Sequence, residues 1–333
     1  MSETRHLKTQ ARSGKVDRVE PRGVPSAEMA VAIVSFNTRV QLGACLASAL
    51  PEAPASVVVA DNASSDGSVE LVRSTYPGVT LVANSVNRGY GAAANQAVGA
   101  SESPYVLLLN SDTRLRPGAL AALASHLESH PAAGVVGPRL LNVDGSPQPS
   151  CFPFPTPLHT FLQTTFFGAL AQRVPGVRAR YRPLESPDVP SRVPCVLGAA
   201  LAIRREAFAA AGGFDESFFM YSEEVDLAAR LAAAGWEVHY TPLAEVVHVG
   251  GASTEQQPVE MEARRYLATR QFYRKHYSRR QQRLLVAMTT YRMLHNLALD
   301  AARVAWSRGA KQRSRLATRR AVWRRVLRET WRE

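Results

Sequence analysis

The chain has 333 residues, of which 46% are hydrophobic and 20% are charged. This composition excludes an intrinsically disordered protein, and the length suffices for one large domain or two ordinary ones. The three cysteines, Cys45, Cys151 and Cys195, lie far apart, which excludes a disulfide framework and a zinc-ligand motif and favours a reducing cytoplasm. Apolar runs are too short to span a bilayer, and the N-terminal segment lacks the apolar core of a signal peptide, so we expect a soluble or peripheral protein.

The formal net charge of +12 is distributed unevenly along the chain. From Arg264 to Glu333 there are 20 lysine and arginine residues against three acidic residues, whereas the preceding part has 20 against 25. This asymmetry predicts that the C-terminal tail contacts an anionic surface, and that the active groups of the body are separate from it.

Strands and helices are predicted to alternate after a polar, flexible lead-in at residues 1–28. The predicted strands are the apolar runs MAVAIVSF, SVVVADN, VTLVAN and YVLLLNSD. Segments with helical spacing follow each of them: VQLGACLASAL, SVELVRSTY, GYGAAANQAVGA and PGALAALASHLESH. Apolar strands separated by helices predict an α/β fold, with a doubly wound, Rossmann-like and mostly parallel sheet.

The second half of the body is less regular. Residues 131–195 are rich in proline, and long loops of this kind in a compact domain are more often functional than idle. Order returns with the strand and helix of CVLGAALAIRREAF, an aromatic loop before an acidic helix start, and the strand WEVHYT. Residues 259–333 have helical spacing and are strongly basic.

Polar side chains follow each of the first four predicted strands: Asn37; Asp61, Asn62 and Asp66; Asn84, Asn87 and Arg88; Asn110 and Asp112. Helix capping or turn formation explains any one of them equally well. Four such groups coincide at the carboxyl edge of the sheet, where ligands bind in doubly wound folds. The sequence therefore predicts a site at this edge.

No phosphate-binding glycine loop follows the first strand, where VSFNTR stands instead. A nucleotide could still be held, with Asp61 accepting from a base N–H or a ribose hydroxyl and Arg88 adding a charge-assisted contact. A divalent cation on Asp112 would neutralise a diphosphate. A lone histidine such as His248 is more often structural, but with a nearby carboxylate such as Asp112 it could share a metal ion.

The segment SEEVDLAAR places three carboxylates, Glu223, Glu224 and Asp226, in the first turn of a predicted helix. A helix start with Ser222 as N-cap and an Asp226–Arg230 pair explains Asp226. The preceding FFMY would desolvate Glu223 or Glu224. Desolvation raises a carboxyl pKa and makes the group a better base near neutral pH.

Seven motifs occur in an order and spacing similar to those of the inverting family 2 glycosyltransferases of the GT-A fold: AIVSFN, VVVADNASSDGS, NRGYGAAANQ, LLLNSDT, GAALAIRREAF, GGFDESFFMYSEEVDLAARLAAAGW and HVGGAS. The chain most resembles the bacterial rhamnosyltransferases that act on lipid-linked or polysaccharide acceptors. The resemblance implies a catalytic domain at residues 29–275. Its nucleotide-binding half would be 29–130 and its acceptor-binding half 131–258, followed by a basic amphipathic helical tail at 276–333.

The resemblance also implies roles for individual residues. Asp112 matches the last acid of the DXD motif, which binds Mg²⁺ or Mn²⁺, and His248 matches a histidine that also contacts the metal in some members of the family. Asn110 replaces the first acid, so Asp112 alone supplies a charged ligand from this motif. Glu224 matches the general base, usually an aspartate in the family, and Glu223 stays an alternative. The implied nucleotide-sugar-binding residues are Ser35, Asn37, Asp61, Asn62, Asp66, Asn87, Arg88, Gly89, Ser111 and Asp112.

The implied function is inverting transfer of a sugar, with L-rhamnose from dTDP-rhamnose as the best match, to a hydroxyl of a glycan or polyprenyl-linked acceptor. The alternative is another hexosyl or N-acetylhexosaminyl transferase that uses a UDP-sugar or GDP-sugar. A sugar-1-phosphate nucleotidyltransferase would need a basic, glycine-rich loop after the first strand, which is absent from the sequence. A non-enzymatic protein that binds nucleic acid or membrane through its tail is a remote alternative; the acidic body argues against it, and no nucleic-acid partner is expected.

The tail contains two amphipathic stripes. The first is Leu284, Met288, Tyr291, Leu294 and Ala298, and the second is Trp323, Val326, Leu327 and Trp331, each with arginines around it. Basic helices with tryptophan on the apolar side lie in the interface of anionic bilayers. We therefore expect a cytoplasmic protein, peripheral at the inner face of the cell membrane. The alternative is a helix that packs on the protein and has a solvated basic face.

Overall fold

The computed structural model describes residues 28–156, 170, 173, 188–250, 258–306 and 310–330. The predicted lead-in, apart from its last residue, lies outside the described residues. The same holds for Trp331 and for nearly all of residues 157–187 within the predicted acceptor-binding half.

The strands are β1 (Met29–Ser35), β2 (Val57–Asp61), β3 (Thr80–Ala83), β4 (Tyr105–Asn110), β5 (Thr113–Leu115), β6 (Ala133–Leu141), β7 (Pro147–Gln148), β8 (Cys151–Phe152), β9 (Ser191–Arg192), β10 (Cys195–Val196), β11 (Ala200–Arg204) and β12 (Glu237–His248). The body helices are α1 (Arg39–Ala49), α2 (Ser68–Thr75), α3 (Tyr90–Gly99), α4 (Ala119–Ser129), α5 (Arg205–Ala210) and α6 (Glu223–Ala233), with a 3₁₀ turn at Leu50–Glu52. The helical extension consists of α7 (Pro258–His276), α8 (Arg279–Trp306) and α9 (Ala310–Thr330).

The main sheet has the strand order β3-β2-β1-β4-β11-β6-β12-β5. The first four strands are parallel, with β1 between β2 and β4. Strand order therefore reverses at β1, and the crevice beyond the ends of β1 and β4 is where such sheets bind ligands. The predicted α/β class and its mostly parallel, GT-A type sheet are confirmed.

Strand β11 departs from the parallel pattern. It pairs antiparallel with both β4 and β6, with Ala200 opposite Leu109. Because β11 begins where β4 ends, the residues just before it lie at the carboxyl edge of the sheet. The backbone N–H of Asn110 donates to the carbonyl of Ala199 there, at 3.0 Å. The irregular second half of the body thus supplies backbone to the edge where the site was expected.

Two apolar layers cover the sheet. Alternate residues of β1, such as Ile33, pack with α1 and α4 on one face through Leu46 and Leu123. The intervening residues, such as Ala32, pack on the other face with Leu227 of α6. Burial on both faces explains why these strands are uniformly apolar.

The helical extension packs against the body. Phe272 and Tyr273 of α7 form an apolar cluster with Phe218 of the aromatic loop. Asp226 of α6 pairs with Arg230 at 2.7 Å, as predicted, and also with Lys275 at 2.8 Å and His276 at 2.7 Å. This buried carboxylate therefore links the body to α7. Among the described helices, none combines the length and the apolar content that a membrane span requires.

The two predicted stripes of the tail have different environments. Trp323 and Val326 of α9 are buried against α7 and α8, so α9 is the packing helix given as the alternative. On α8, Met288 is also buried, whereas Leu284, Tyr291 and Leu294 are 51%, 45% and 59% exposed. The solvent-exposed stripe of α8 is therefore Leu284, Ala287, Tyr291, Leu294 and Ala298.

Candidate active site

A cavity of about 510 Å³ opens at the carboxyl edge of the sheet, beyond β1 and β4. It is lined from the end of β4, the loop after β3, the start of β11, the aromatic loop before α6, and α7. Of the predicted site residues, those that line it are Asn62, Asn87, Gly89, Ser111, Asp112, Glu223, Glu224 and His248. Distant parts of the sequence thus converge on one space.

Asp112 and His248 meet because β5 and β12 pair antiparallel, with Thr113 opposite His248. The Asp112 Oδ1 and His248 Nε2 atoms are 3.6 Å apart. This separation is too long for a hydrogen bond but suits two ligands of one ion, since each metal–ligand bond is roughly 2.0–2.2 Å. Burial lowers the pKa of His248, against the opposing effect of Asp112. The imidazole is therefore neutral at neutral pH, the form that binds metals.

Two further side chains support a cation site at this position. His248 Nδ1 lies 2.9 Å from the Gln148 Oε1 acceptor on β7, so Nδ1–H donates to it and Nε2 is left toward Asp112. Asn110 lines the same cavity, and its buried Oδ1 has no hydrogen-bond partner among the described residues. A buried amide oxygen without a partner is costly unless a ligand or ion satisfies it. These donors fit a divalent cation.

Glu223 and Glu224 form a desolvated carboxyl pair at the start of α6. Glu223 is 7% exposed and Glu224 is half-buried, and within the described chain the Oε2 atom of each lacks a hydrogen-bond partner. Burial raises the pKa of both groups, and repulsion from Glu224 adds to the rise at Glu223, whose pKa lies well above its usual value. Both pKa shifts are upward, which makes these carboxyls stronger bases than exposed glutamates when they are ionised.

The loops after β2 and β3 form the opposite wall through an asparagine network. The Asn62 side chain donates from Nδ2 to Asn87 Oδ1 at 2.9 Å and to the Gly89 carbonyl at 3.0 Å. Its Oδ1 accepts from the backbone N–H of Arg88 at 3.0 Å. Asp61 is buried; Oδ1 accepts from the Ser64 N–H, while Oδ2 has no partner among the described residues.

Several predicted nucleotide-binding residues lie beside the cavity without lining it. Asn37 accepts from the Ser65 N–H at 2.8 Å, and Asp66 accepts from the Arg39 N–H at 2.7 Å, so both tie the loop after β1 to the loop after β2. The Arg88 guanidinium contacts Glu216 at 3.5 Å on the surface. The capping and turn roles that compete with ligand binding are thus present at Asn37 and Asp66.

Ser35 is buried beneath the cavity, and a chain of hydroxyl groups links it to the cavity wall. Its Oγ lies 3.3 Å from Thr38 Oγ1, which lies 2.7 Å from Ser111 Oγ. This chain connects the ends of β1 and β4 and holds Ser111 at the cavity wall.

Gly89 permits a close approach between two walls. Its φ is +86°, and a Cβ there would lie 2.5 Å from the Phe219 carbonyl oxygen. The next residue, Tyr90, donates its N–H to that carbonyl at 2.8 Å. Any other residue at this position would push the aromatic loop away from the cavity.

Two cavity residues, Tyr90 and Arg264, and one residue behind the cavity wall, Gln148, are absent from the predicted site residues. Tyr90 donates from its hydroxyl to the Gly198 carbonyl at 3.1 Å, and burial raises its pKa well above the usual value, with Glu223, Glu224 and Asp112 adding to the rise. Arg264 of α7 lies with its guanidinium 4.0 Å from the Phe219 ring centroid. Gln148 orients His248 as described above. Tyr90 lies within the motif NRGYGAAANQ, whereas Gln148 comes from a segment without periodicity and Arg264 from the basic C-terminal part of the chain.

Two family models match this chain. The family model "Glycosyl transferase family 2" matches residues 30–208, and "Glycosyl transferase family group 2" matches residues 185–327. The chain is 36% identical over 230 residues to the N-acetylglucosaminyl-diphospho-decaprenol L-rhamnosyltransferase of Mycobacterium tuberculosis (strain ATCC 25618 / H37Rv), covering 66% of this chain and 74% of the relative. It is 34% identical over 73 residues to rhamnosyltransferase WbbL of Escherichia coli (strain K12), covering 22% and 28%.

Solved structures share the fold at low sequence identity. The mannosyltransferase PcManGT from Pyrobaculum calidifontis, in complex with GDP-Man and Mn²⁺, matches with a TM-score of 0.53 and 18% identity, over 95% of this chain and 92% of that one. GalNAc-T7 with UDP, GalNAc and Mn²⁺ matches with a TM-score of 0.50 and 17% identity, over 66% of this chain. This chain spans 43% of the length of GalNAc-T7. At these identities the likeness shows the fold alone.

Proposed function

The chain belongs to glycosyl transferase family 2, and from this premise we propose that it transfers a sugar from a nucleotide-sugar donor to an acceptor hydroxyl with inversion at the anomeric carbon. One observation carries the proposal. A single cavity brings the Asp112–His248 pair, suited to a cation, together with the desolvated carboxyls Glu223 and Glu224. Diphosphate departure needs the first pair and proton removal needs the second.

Asp112 and His248 would hold the divalent cation, Mg²⁺ or Mn²⁺, with the Asn110 amide oxygen in the same cavity. When bound, this ion supplies positive charge that neutralises the donor diphosphate. The Mn²⁺ in the two solved structures of this fold supports a cation of this class. Arg264, at the same cavity, would add a fixed positive charge.

Glu224 would act as the general base. The acceptor O–H bond breaks and its proton passes to the Glu224 carboxylate, while the oxygen forms a bond to the anomeric carbon and the bond from that carbon to the diphosphate oxygen breaks. Glu224 is the more accessible of the two carboxyls. Glu223, more deeply buried and with a strongly raised pKa, would keep its proton, and it is the alternative base if the roles are exchanged.

The donor we propose is dTDP-L-rhamnose, and the acceptor is a glycan or polyprenyl-linked sugar. The support is the Mycobacterium relative, an L-rhamnosyltransferase named for a decaprenyl-diphosphate-linked acceptor, which matches over two-thirds of this chain. The second candidate is transfer of another hexose or N-acetylhexosamine from a UDP-sugar or GDP-sugar. It is favoured by the UDP and GDP-Man in the solved structures of the same fold.

An acceptor with a polyprenyl anchor stays in the bilayer, so the enzyme would act at the cytoplasmic face of the cell membrane. A cavity of about 620 Å³ between α7 and α8 supports this location. It is lined by four arginines, Arg270, Arg274, Arg279 and Arg283, and by no acidic residue of the described chain. Guanidinium groups at this density favour anionic headgroups.

The exposed stripe of α8 begins beside this cavity. Ala287 belongs to both, and Leu284 follows Arg283. An apolar helix face next to clustered arginines is typical of segments that lie in the interface of anionic bilayers. We therefore place the proposed membrane contact at α8 and its cavity, since Trp323 and Val326 of α9 are buried.

A donor screen tests the proposal. The purified full-length protein is incubated with Mn²⁺ or Mg²⁺, a polyprenyl-diphosphate-linked N-acetylglucosamine, and one sugar nucleotide at a time. Release of dTDP, UDP or GDP is measured with and without acceptor. We expect acceptor-dependent release of dTDP from dTDP-L-rhamnose. Acceptor-dependent release of UDP or GDP would select the second candidate, and transfer with retained anomeric configuration would contradict the mechanism.

A further inference from the structure

Three histidines cluster at the far end of β12 from the active-site cavity. His126 lies on α4, His130 is the residue that directly follows α4, and His239 lies on β12, nine residues before His248. On the paired strand β6, the partners of His239 and Val247 are Val136 and Leu141, five residues apart, which is roughly 17 Å at 3.3 Å per residue, so this cluster is separate from Asp112. One ligand nitrogen from each ring lies within 4.8 Å of the others.

The three rings have the spacing of a shared ligand sphere. His126 Nε2 lies 3.0 Å from His239 Nδ1, and both residues are buried. The ring of His130, the C-cap residue of α4, stacks on the ring of His126, with centroids 4.1 Å apart. His130 is exposed, so the cluster is open to solvent on one side.

Outer contacts orient the free nitrogen atoms toward one another. His239 Nε2 lies 2.9 Å from the Glu237 carboxylate, to which it donates, and this leaves the Nδ1 lone pair facing His126. His130 Nδ1 lies 2.9 Å from the His126 carbonyl, to which it donates, and this leaves Nε2 free. Metal-binding histidines usually donate their second N–H to a carboxylate or a carbonyl group in this way.

Two nearby arginines have other acceptors. Arg192 pairs with Glu237 at 2.7 Å, and Arg204 donates to the His130 carbonyl at 3.3 Å.

We propose that His126, His130 and His239 form a second metal site, for a tetrahedral transition-metal ion such as Zn²⁺, with water as the fourth ligand. Three imidazoles suit Zn²⁺, whereas the carboxylate and amide donors around Asp112 suit Mg²⁺ or Mn²⁺. The site would tie the last turn of α4 to β12 and so stabilise the body. It makes no contact with the reacting atoms and does not depend on the proposed sugar transfer.

The test uses full-length protein stripped of metal with a chelator and titrated with Zn²⁺ alone by calorimetry. The Asp112→Ala variant removes the main charged ligand of the active site, and we expect it to bind one Zn²⁺ per chain still. In that background His130→Ala should weaken Zn²⁺ binding by at least about tenfold. His295→Ala, on α8, is the matched control and should leave the affinity unchanged.

Two further readouts separate loss of a ligand from loss of the fold. At one Zn²⁺ concentration, Zn²⁺ should raise the melting temperature of the Asp112→Ala protein more than that of its His130→Ala derivative. Glu237→Gln keeps all three ligands and should weaken Zn²⁺ binding less than His130→Ala does. Equal Zn²⁺ affinity with and without His130, or no Zn²⁺ bound by Asp112→Ala, would overturn the proposal and leave a hydrogen-bonded histidine cluster.

Discussion

The active-site cavity of the body and the helical extension differ in how their carboxylates are paired. In the extension, the described carboxylates are matched by arginines. Glu260 pairs with Arg264 at 2.7 Å and with Arg325, and Glu329 pairs with Arg325 at 3.0 Å. In the body, Glu223 is buried and Glu224 half-buried, and the Oε2 atom of each is buried and lacks a partner among the described residues. A cavity carboxylate that has no cationic partner indicates a catalytic role rather than a contribution to fold stability, since the body around it is acidic.

Asp226 lies at the boundary and sharpens the contrast. It follows Glu224 by two residues on α6, yet its partners Arg230, Lys275 and His276 lower its pKa despite burial. Acidic residues within one turn of the same helix therefore have pKa values shifted in opposite directions. Burial raises the pKa of Glu223 and Glu224, whereas Asp226 is paired with cationic side chains, two of them from α7.

The largest expected effect in the body is at Glu224. Glu224→Gln keeps the shape of the side chain but removes its basicity, so transfer should fall by about 10²–10⁴-fold while donor binding is nearly unchanged. Acceptor-dependent nucleotide release gives the rate, and calorimetry gives donor affinity. Glu223→Gln is the control on the adjacent residue. A larger loss in Glu223→Gln would exchange the two roles.

In the extension, we expect the arginines to affect binding to anionic vesicles and not the rate of sugar transfer. Arg279→Gln/Arg283→Gln should weaken binding to anionic vesicles by roughly 10–30-fold at low salt, since each cation near the surface contributes about 1 kcal/mol. Co-sedimentation with anionic and with neutral vesicles measures this. Transfer to a soluble acceptor should be unchanged.

The matched control is Arg324→Gln/Arg328→Gln, which removes the same charge from the exposed side of α9. It should retain most vesicle binding if the cavity between α7 and α8 is the contact. Equal losses of vesicle binding in the two double variants would show that only the net charge of the protein matters. Tighter binding to RNA than to anionic vesicles would contradict a membrane contact.

A substitution at Asp61 tests whether its Oδ2 atom, which has no hydrogen-bond partner among the described residues, binds the donor. Asp61→Asn keeps an acceptor for the Ser64 N–H but removes the charge. Loss of a hydrogen bond to a charged group should raise the donor KM by about tenfold and leave the acceptor KM nearly unchanged. Steady-state kinetics with each substrate varied decide this. An unaltered donor KM would leave Asp61 as a turn residue.

The sequence predicted the part of the site that depends on strand ends. Apolar strands in βα order place their carboxyl ends on one edge, so Asp61, Asn62 and Asp112 were expected together. The separation of 3.6 Å between Asp112 and His248 agrees with the predicted shared ion, although the roles of the site residues stay predictions.

Other features required the tertiary structure. Gln148 comes from a two-residue strand in a segment without periodicity, and Arg264 from a tail that was interpreted as a surface element. Asp66 was predicted from its place after a strand, as Asp61 was, but it caps the start of a helix. An aspartate that caps a helix and one that binds a ligand have the same local sequence pattern. An apolar stripe such as that of Trp323 and Val326 has the same sequence pattern whether it contacts lipid or packs against another helix.

The smallest expected effect concerns the stability of the body. The pKa of Glu223 is raised in the folded state, so its protonated form stabilises the fold at low pH, and that stability is lost as pH rises through the raised value. Glu223→Gln mimics the protonated form. Its melting temperature should equal that of the wild type at pH 4 and exceed it by a few degrees at pH 8. A lower melting temperature at pH 8 would show that Glu223 is ionised and well solvated.

The central claim is that Asp112 holds a divalent cation against the diphosphate of a nucleotide donor. Calorimetry of dTDP binding with and without Mn²⁺ tests it most directly, using wild type, Asp112→Ala, and Asp144→Ala, an exposed turn aspartate, as control. We predict that Mn²⁺ tightens dTDP binding at least about tenfold in wild type and Asp144→Ala and has no effect in Asp112→Ala. The same Mn²⁺-dependent tightening in Asp112→Ala would contradict the claim.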